Sequence, residues 1–324
     1  MKKYKIGFFS TSEFGEYVFD YLLKNHIIEF VLTSTPKPKG RGYKITNLSF
    51  VDKALINNIK VFFIDKKKDI REKLTDYFNE KNKIDYAVVV DFAYIIDEDI
   101  FQIAKNYFIN IHPSLLPLYR GASPIQYTLL NNERITGITI QKMVKECDAG
   151  DILCSKTIDI NPFENFNLLY DRLRFLSTET IEYFFYNLPH IKPIPQKEEL
   201  ATYTKKITKE DSFFSFNEDA KLICGKINAF SRWPKVKAKI ENEEIIFLNS
   251  FYEEKDYEGK IGQIIKIDKF ILSNNQEIKV LFIKCGKNTL LISHIQKPGK
   301  KSLSITESLL GYKFLKEGAI FSNF

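Results

Sequence analysis

The side chains best suited to chemistry lie in two short segments, NIHPSLLPLYRGASPIQ (110–126) and KECDAGDIL (145–153). Asn110 and His112 end an apolar run and are two residues apart, so on an extended strand both side chains point to the same face. Asp148 lies in an acidic loop, from which a carboxylate can approach the imidazole. An amide, an imidazole and a carboxylate suit acyl transfer without a covalent intermediate, because the amide and the imidazole donate to an oxyanion while the carboxylate orients the imidazole.

His112 taken alone is most simply a hydrogen-bonded scaffold residue, and it is Asn110 and Asp148 that favour the catalytic interpretation. The loop SLLPLYRG that follows His112 also has a structural and a functional interpretation. Pro113, Pro117 and Gly121 build a tight turn, and a rigid turn can also hold a ligand. For Arg120, a salt bridge that braces this loop and a contact with a ligand both stay open.

Alternating strand and helix patterns position these residues. Strands are predicted over 4–10, 26–34, 60–64, 84–92 and 106–112, and helices over 13–25, 48–58, 68–80 and 97–105. Strands 136–143 and 152–160 and a helix over 164–187 complete a domain that we expect to span 1–187. This order predicts a mostly parallel, Rossmann-like α/β sheet, in which sites form at the carboxyl ends of strands.

The first strand-to-helix turn is STSEFG, which lacks the GxGxxG cradle for a pyrophosphate and argues against a nicotinamide cofactor. The proline-rich segment LPHIKPIPQKEEL predicts a linker over 188–207. A helix near 217–229 and alternating segments over 236–252, 259–268, 278–286 and 288–296 then predict a smaller, OB-like β-barrel within 208–324. We expect Trp233, the single tryptophan, to pack in the core or between the domains.

The formal net charge of +7 is unevenly distributed. Residues 1–200 hold 27 Lys and Arg against 26 Asp and Glu, whereas 201–324 hold 21 against 15. This excess suits a polyanionic partner such as nucleic acid, with an ordinary solvated lysine surface as the alternative. The four scattered cysteines indicate neither a metal site nor a disulfide framework and fit a cytoplasmic protein. Since no apolar run is long enough to span a membrane, we expect no membrane partner. We also expect a monomer.

The segments NIHPSLLPLYRGASPIQ and TGITIQKMVKECDAGDIL (136–153) resemble the folate-dependent formyltransferases, which share Asn-x-His, then SLLPxYRGxxP, then an Asp-containing loop. Within that superfamily the chain resembles the methionyl-tRNA formyltransferases. The resemblance rests on INAFSRWP (227–234), CGKNTLLISHIQKPGKKSL (285–303) and the GRG of residues 40–42.

The resemblance implies transfer of the formyl group of 10-formyltetrahydrofolate to the α-amino group of methionyl-initiator tRNA, for translation initiation and without a metal. It implies Asn110, His112 and Asp148 as catalytic residues. The residues implied for folate binding are Ser114, Leu115, Leu116, Pro117, Asp91, Phe92 and Gly150. Those implied for tRNA binding are Lys39, Arg41, Lys44, Lys297, Lys300 and Lys301.

Two alternatives stay open from the sequence. A formyltransferase acting on a sugar-nucleotide amine would share the catalytic trio, but it would not need the basic barrel or the GRG loop. A non-catalytic tRNA-binding relative would be expected to lose Asn, His or Asp, and all three are present.

Overall fold

The computed structural model describes residues 2–38, 45–272 and 274–323. The chain divides into two compact units. The first contains Met1–Gly121, Gly137–Thr157 and Asp171–Tyr203, and the second contains Ala122–Thr136, Ile158–Tyr170 and Thr204–Phe324. Because these units are built from interleaved stretches of chain, they do not follow a single cut, and the division into 1–187, 188–207 and 208–324 stays a prediction.

The regular elements of the described residues are numbered in chain order. The helices are α1 (Glu16–Asn25), α2 (Ser49–Ile56), α3 (Lys68–Lys73), α4 (Pro124–Leu130), α5 (Phe166–Asn187), α6 (Ala220–Ala229) and α7 (Ile305–Gly311). The strands are β1 (Lys5–Phe9), β2 (Ile27–Ser34), β3 (Lys60–Ile64), β4 (Ile84–Val90), β5 (Ala104–His112), β6 (Arg120–Gly121), β7 (Ile135–Lys142), β8 (Ile152–Asp159), β9 (Tyr203–Thr204), β10 (Val236–Ile240), β11 (Glu243–Glu253), β12 (Ile264–Ile271), β13 (Glu277–Lys284), β14 (Thr289–Gln296), β15 (Ser302–Ser304) and β16 (Phe321–Asn323).

The first sheet has the strand order β3-β2-β1-β4-β5-β7-β8. Its first five strands pair in parallel, and β7 runs antiparallel to β5. The parallel strands are almost continuously apolar because helices cover both faces of such a sheet. One core cluster buries Phe9 of β1, Phe30 of β2 and Phe108 of β5. The predicted Rossmann-like, mostly parallel sheet is confirmed.

The second sheet is antiparallel throughout, with the order β12-β13-β14-β11-β10-β16 and with β15 paired to β14. Its two ends are joined, because Phe321 N–H donates to Gly262 O at 2.8 Å and Ile264 N–H donates to Ala319 O at 2.8 Å. Such closure removes the free sheet edges, as in a small barrel. The predicted C-terminal β-barrel is therefore also confirmed.

Several predicted elements differ from those observed. The helix predicted over 97–105 is wrong: a 3-10 turn covers Glu98–Ile103, after which Ala104 pairs with Ile84 and opens β5. The strand predicted over 236–252 is a hairpin of β10 and β11, broken at Glu241 with φ +52°. Helix α7 lies outside the predicted elements, although Ser304 and Glu307 form a capping box at its start.

No helix within the described part of the chain combines the length and the apolar character needed to cross a lipid bilayer.

Candidate active site

Asn110 and His112 lie at the carboxyl end of β5, an interior strand of the first sheet. Parallel pairing sets Asn110 beside Val89 of β4, and antiparallel pairing sets Asn110 opposite Gln141 of β7. Because side chains alternate along a strand, Asn110 and His112 share one face, and Gln141 shares it with them. The sequence prediction of this shared face is confirmed.

Asp148 lies in the loop between β7 and β8, and its carboxylate is the point at which the site residues meet. Its Oδ1 accepts hydrogen bonds from Asn110 Nδ2 at 3.1 Å and from Gln141 Nε2 at 2.8 Å, and it lies 3.6 Å from His112 Nδ1. Its Oδ2 accepts from the Gly121 backbone N–H at 2.9 Å. Asn110 and His112, the other two residues proposed as catalytic, thus both contact the Asp148 carboxylate, which is also held by the Gln141 amide and the Gly121 N–H.

The backbone at Asp148 has φ +55°, a left-handed conformation that costs about 1–3 kcal/mol in a residue other than glycine. The carboxylate also lies beside the Cys147 thiol, with Sγ 3.4 Å from Oδ2. Desolvation and the negative charge of Asp148 raise the pKa of Cys147 to about 11. The thiol is therefore neutral near pH 7, and it is a poor nucleophile in that form.

His112 is 4% exposed and is held from both sides. Its Nε2 lies 2.9 Å from the backbone oxygen of Tyr119. Since a carbonyl oxygen only accepts, Nε2 carries a proton, and Nδ1 then faces Asp148. Nδ1 bears a second proton only in the imidazolium form, so His112 and Asp148 together form a place where one proton can be held.

A second layer of side chains, which sequence reasoning missed, supports this carboxylate. Gln196 Nε2 donates to the backbone oxygen of Asp148 at 2.9 Å and to that of Gly150 at 2.7 Å. Gln196 Oε1 accepts from Arg120 Nε at 3.0 Å. Gln196 therefore ties the ends of the Asp148 loop to the Arg120 side chain.

Arg120 is buried, with 2% of its surface exposed, and its Nη1 donates to both carboxylate oxygens of Glu198 at 2.9 Å. Hydrogen bonds from Tyr203 and from Arg120 lower the pKa of Glu198. Of the two interpretations that the sequence left open for Arg120, the structure shows the bracing salt bridge.

The segment Ser114–Pro117, predicted to bind folate, is pinned to β7. Ser114 is fully buried and its hydroxyl donates to Leu118 O at 2.7 Å. Thr139 Oγ1 donates to Ser114 O at 2.7 Å and accepts from the Leu116 N–H at 3.2 Å. Leu115 and Pro117 are half-buried within the same segment. These hydrogen bonds hold the loop in one conformation, and the Ser114 hydroxyl is used within the loop itself.

Asp91 and Phe92, also predicted to bind folate, follow the carboxyl end of β4. Asp91 has φ +45°, its carboxylate accepts from the Ser12 hydroxyl, and its backbone oxygen accepts from Thr11 Oγ1 at 3.0 Å. Phe92 packs edge-on against Phe9, with 5.8 Å between ring centroids. The loops after β1 and β4 are therefore fastened together beside the same sheet edge as Asn110.

Gly150 has a packing reason of its own. A Cβ atom built on it would lie 1.7 Å from Lys142 O, so no larger residue fits. Its predicted contact with folate is untested and stays a prediction.

The residues predicted to bind tRNA fall into three groups. Lys39, Arg41 and Lys44 lie outside the described residues. Lys297 pairs with Glu243 at 2.9 Å and lies over the Tyr312 and Phe314 rings, so its charge is engaged within the second unit. Lys300 and Lys301 are exposed beside the Gly299 turn.

Comparison with known proteins agrees with this geometry. Residues 4–182 match the family described as Formyl transferase, and residues 206–313 match Formyl transferase, C-terminal domain. The methionyl-tRNA formyltransferase of Sulfurihydrogenibium sp. (strain YO3AOP1) is 34% identical over 320 residues, which cover 98% of this chain and 99% of the relative.

Two solved structures share the fold at low sequence identity. HypX from Aquifex aeolicus, in complex with tetrahydrofolic acid, has a TM-score of 0.59 and 19% identity over 97% of this chain, which spans about half (48%) of HypX. The N-formyltransferase from Helicobacter canadensis, in complex with folinic acid and dTDP-3-aminofucose, has a TM-score of 0.63 and 16% identity, covering 90% of this chain and 99% of that one. With matches to both domains and a relative that is similar from end to end, this chain belongs to the methionyl-tRNA formyltransferase family.

Proposed function

We propose that this chain transfers the formyl group of 10-formyltetrahydrofolate to the α-amino group of methionine carried by initiator tRNA. Family membership supports the reaction type. The observation that carries the proposal is the convergence of Asn110 and the buried His112 on Asp148, with Asp148 Oδ1 3.1 Å from Asn110 Nδ2 and 3.6 Å from His112 Nδ1. These are the groups that an attack by an amine on a formyl carbon needs.

Asn110 supplies the stabilisation of negative charge. Attack forms the bond between nitrogen and carbon and moves the carbonyl electron pair onto oxygen. One N–H of the Asn110 amide is held by Asp148, and the second is the donor that we assign to that oxyanion. Such a donor is set in place before the reaction and needs no reorganisation as the charge develops.

His112 and Asp148 move the proton. The attacking amine becomes an ammonium and loses one proton, which the pair takes up at Nδ1 or at Asp148 Oδ1, directly or through a water molecule. When the bond from the formyl carbon to its original nitrogen breaks, the pair returns that proton to the leaving nitrogen. The Tyr119 carbonyl keeps Nε2 protonated throughout, so Nδ1 remains the working nitrogen.

10-Formyltetrahydrofolate supplies the formyl group when it is bound. The residues at this edge fit such a molecule, because the loop after β4 sets the exposed carboxylate of Asp91 beside the half-buried Phe92 ring. A flat, nitrogen-rich ring would stack on the phenyl group and donate to the carboxylate. The pinned segment Ser114–Pro117 would border it with fixed backbone groups. Gly150 would lie at the far side of this edge.

We assign the tRNA partner to the basic second unit, where Lys300 and Lys301 are the exposed cations of the predicted set, with Lys39, Arg41 and Lys44 assigned to the same partner. Neutralising phosphates with lysine makes binding strongly dependent on salt. Lys297 contributes less to RNA contact in this account, because Glu243 already pairs with it.

The proposal is tested by incubating the purified chain with 10-formyltetrahydrofolate and one of three acceptors: methionyl-initiator tRNA, free methionine or an amino-sugar nucleotide. We expect formylmethionyl-tRNA alone. Formylation of the sugar would establish the sugar-nucleotide alternative instead, and no product with any acceptor, despite tRNA binding, would establish the non-catalytic one.

A further inference from the structure

A basic, aromatic cleft lies in the second unit, at the start of β10. We call it the Trp233 cleft; it encloses about 260 Å³ and is lined mainly by Lys209, Phe213, Trp233, Pro234, Lys235 and Lys237. Trp233 is 49% exposed and Phe213 is 60% exposed. Of the two expectations for Trp233, packing in the core is therefore wrong and packing between the domains stays a prediction. Both rings are large and partly exposed.

The charge that lines this cleft is positive. It has three lysines, and no acidic side chain among the described residues lines it. Lys235 has φ +73°, which an L-residue adopts only when its surroundings enforce it, and its Nζ donates to Gln296 Oε1 at 2.7 Å. Lys237 pairs with Glu244 at 2.8 Å. Two of the three lysines, Lys235 and Lys237, are thus held in place.

Open aromatic faces beside fixed ammonium groups match one ligand chemistry, a nucleobase with its phosphate. Bases stack on aromatic side chains whatever their identity, while lysines neutralise the backbone. A volume of 260 Å³ lies below the range of about 300–1,000 Å³ that holds drug-sized ligands, so the cleft suits a single base. A base within a duplex hides both of its faces, so the occupant must be unpaired.

We propose that the Trp233 cleft binds one unpaired base of the RNA substrate, with the adjoining phosphate beside Lys209 and Lys235. This inference rests on the proposed function, because it takes the RNA to be the formyl acceptor. It adds a specific contact to an otherwise electrostatic RNA surface.

The chain offers a direct probe, because Trp233 is its only tryptophan and its emission therefore reports this cleft alone. The full chain is titrated with a single-stranded RNA hexanucleotide, with a blunt RNA duplex of the same length and with adenosine monophosphate. We expect saturable quenching by the single strand at concentrations where the duplex leaves the emission unchanged, and quenching by the mononucleotide, which lacks the neighbouring phosphates, only at higher concentrations. Equal quenching by the duplex, or binding of the single strand without any change in emission, would overturn the proposal.

Variants provide the second measurement, read by anisotropy of the labelled hexanucleotide at fixed salt. Trp233→Ala should weaken binding by about 5- to 150-fold, the range for loss of one stacked base, and Trp233→Phe should restore most of it. Lys209→Ala should weaken binding and flatten its salt dependence by about one phosphate contact. The control is Lys279→Ala, an exposed lysine on β13, which β14 and β11 separate from β10. Equal losses in Lys209→Ala and Lys279→Ala would reduce the cleft to general surface charge.

Failure of this inference is distinguishable from failure of the proposed function. If the wild-type chain formylates methionyl-tRNA and Trp233→Ala leaves the KM for that tRNA unchanged, the cleft has no part in RNA binding and the function stands. If the wild-type chain formylates no tRNA while the hexanucleotide still quenches Trp233, the cleft binds RNA and the function is wrong.

Discussion

The two ends of the first sheet each bury a histidine, in opposite surroundings. At the amino end, His26 is 5% exposed and packs against aromatic rings, with centroids 4.2 Å from Phe185 and 5.8 Å from Tyr4. Burial, followed by the nearby charge of Lys3, lowers the pKa of His26 to about 4. At the carboxyl end, His112 is 4% exposed and lies between the Tyr119 carbonyl and the Asp148 carboxylate.

The difference shows that burial alone does not make a histidine functional. Among the described residues, the rings that contact His26 are aromatic, and His26 Nε2 has no hydrogen-bond partner. The imidazole therefore packs as a neutral group. His112 has a carboxylate that is itself fixed by amide and backbone donors. In this sheet, the candidate active site lies at the carboxyl end of the strands, where polar side chains meet. The histidine at the amino end packs among aromatic rings and contributes to stability.

The largest effect is expected from His112→Ala, which removes the proton carrier. We expect turnover to fall by about 10²–10⁴-fold, the range for loss of general acid–base catalysis, with tRNA affinity nearly unchanged. Single-turnover formylation and tRNA binding are the measurements. His190→Ala, a change at an exposed histidine, is the matched control. Near-normal turnover in His112→Ala would remove His112 from the mechanism.

The second effect concerns His26 and is one of stability. Below pH 6.5 the histidine of the unfolded chain binds a proton, whereas native His26 stays neutral down to about pH 4. The contribution of neutral His26 to the free energy of unfolding is therefore complete above pH 6.5 and is lost as the pH falls toward 4. The loss reaches at most about 3 kcal/mol. We expect His26→Phe to reduce the fall in unfolding free energy between pH 7 and pH 4.5, measured by urea denaturation. Parallel pH profiles for the two proteins would contradict this.

A smaller effect is expected from Gln196→Ala, because Gln196 positions the Asp148 loop without taking part in the chemistry. A misplaced site residue typically costs up to about 10²-fold, and we expect about tenfold here, in kcat rather than KM. Gln196→Glu keeps an acceptor for Arg120 but loses the donor to the two loop carbonyls, so it should be equally impaired. Gln102→Ala, at an exposed glutamine, is the control. Full activity in Gln196→Glu would show that the donor is unnecessary.

The sequence was sufficient for the parts of the site that depend on chain periodicity. Asn110 and His112 alternate in phase on one strand, and the sheet brings that strand end to the Asp148 loop. The sequence places Gln196 in a predicted linker, because proline and charge dominate its neighbours. No local pattern marks a hydrogen bond to a loop some fifty residues away.

Three other features of the structure differ from the sequence predictions, each for its own physical reason. The exposure of Trp233 depends on tertiary packing that a short motif does not encode. The turn at Glu98–Ile103 has the apolar spacing of a helix, but the pairing of Ala104 with β4 ends it after six residues. Helix α7 did carry a readable signal, the Ser304 to Glu307 capping box.

The central claim, that Asp148 anchors the chemistry, is tested most directly by Asp148→Asn in single-turnover formylation of methionyl-tRNA with saturating 10-formyltetrahydrofolate. Asparagine tolerates the φ of +55° and matches aspartate in size, so the loop is preserved while the charge beside His112 and one acceptor oxygen are lost. We predict a rate lowered by about 10²-fold or more, with unchanged affinity for tRNA. A rate within threefold of wild type would contradict the account, since the carboxylate would then be a structural anchor with no part in moving the proton.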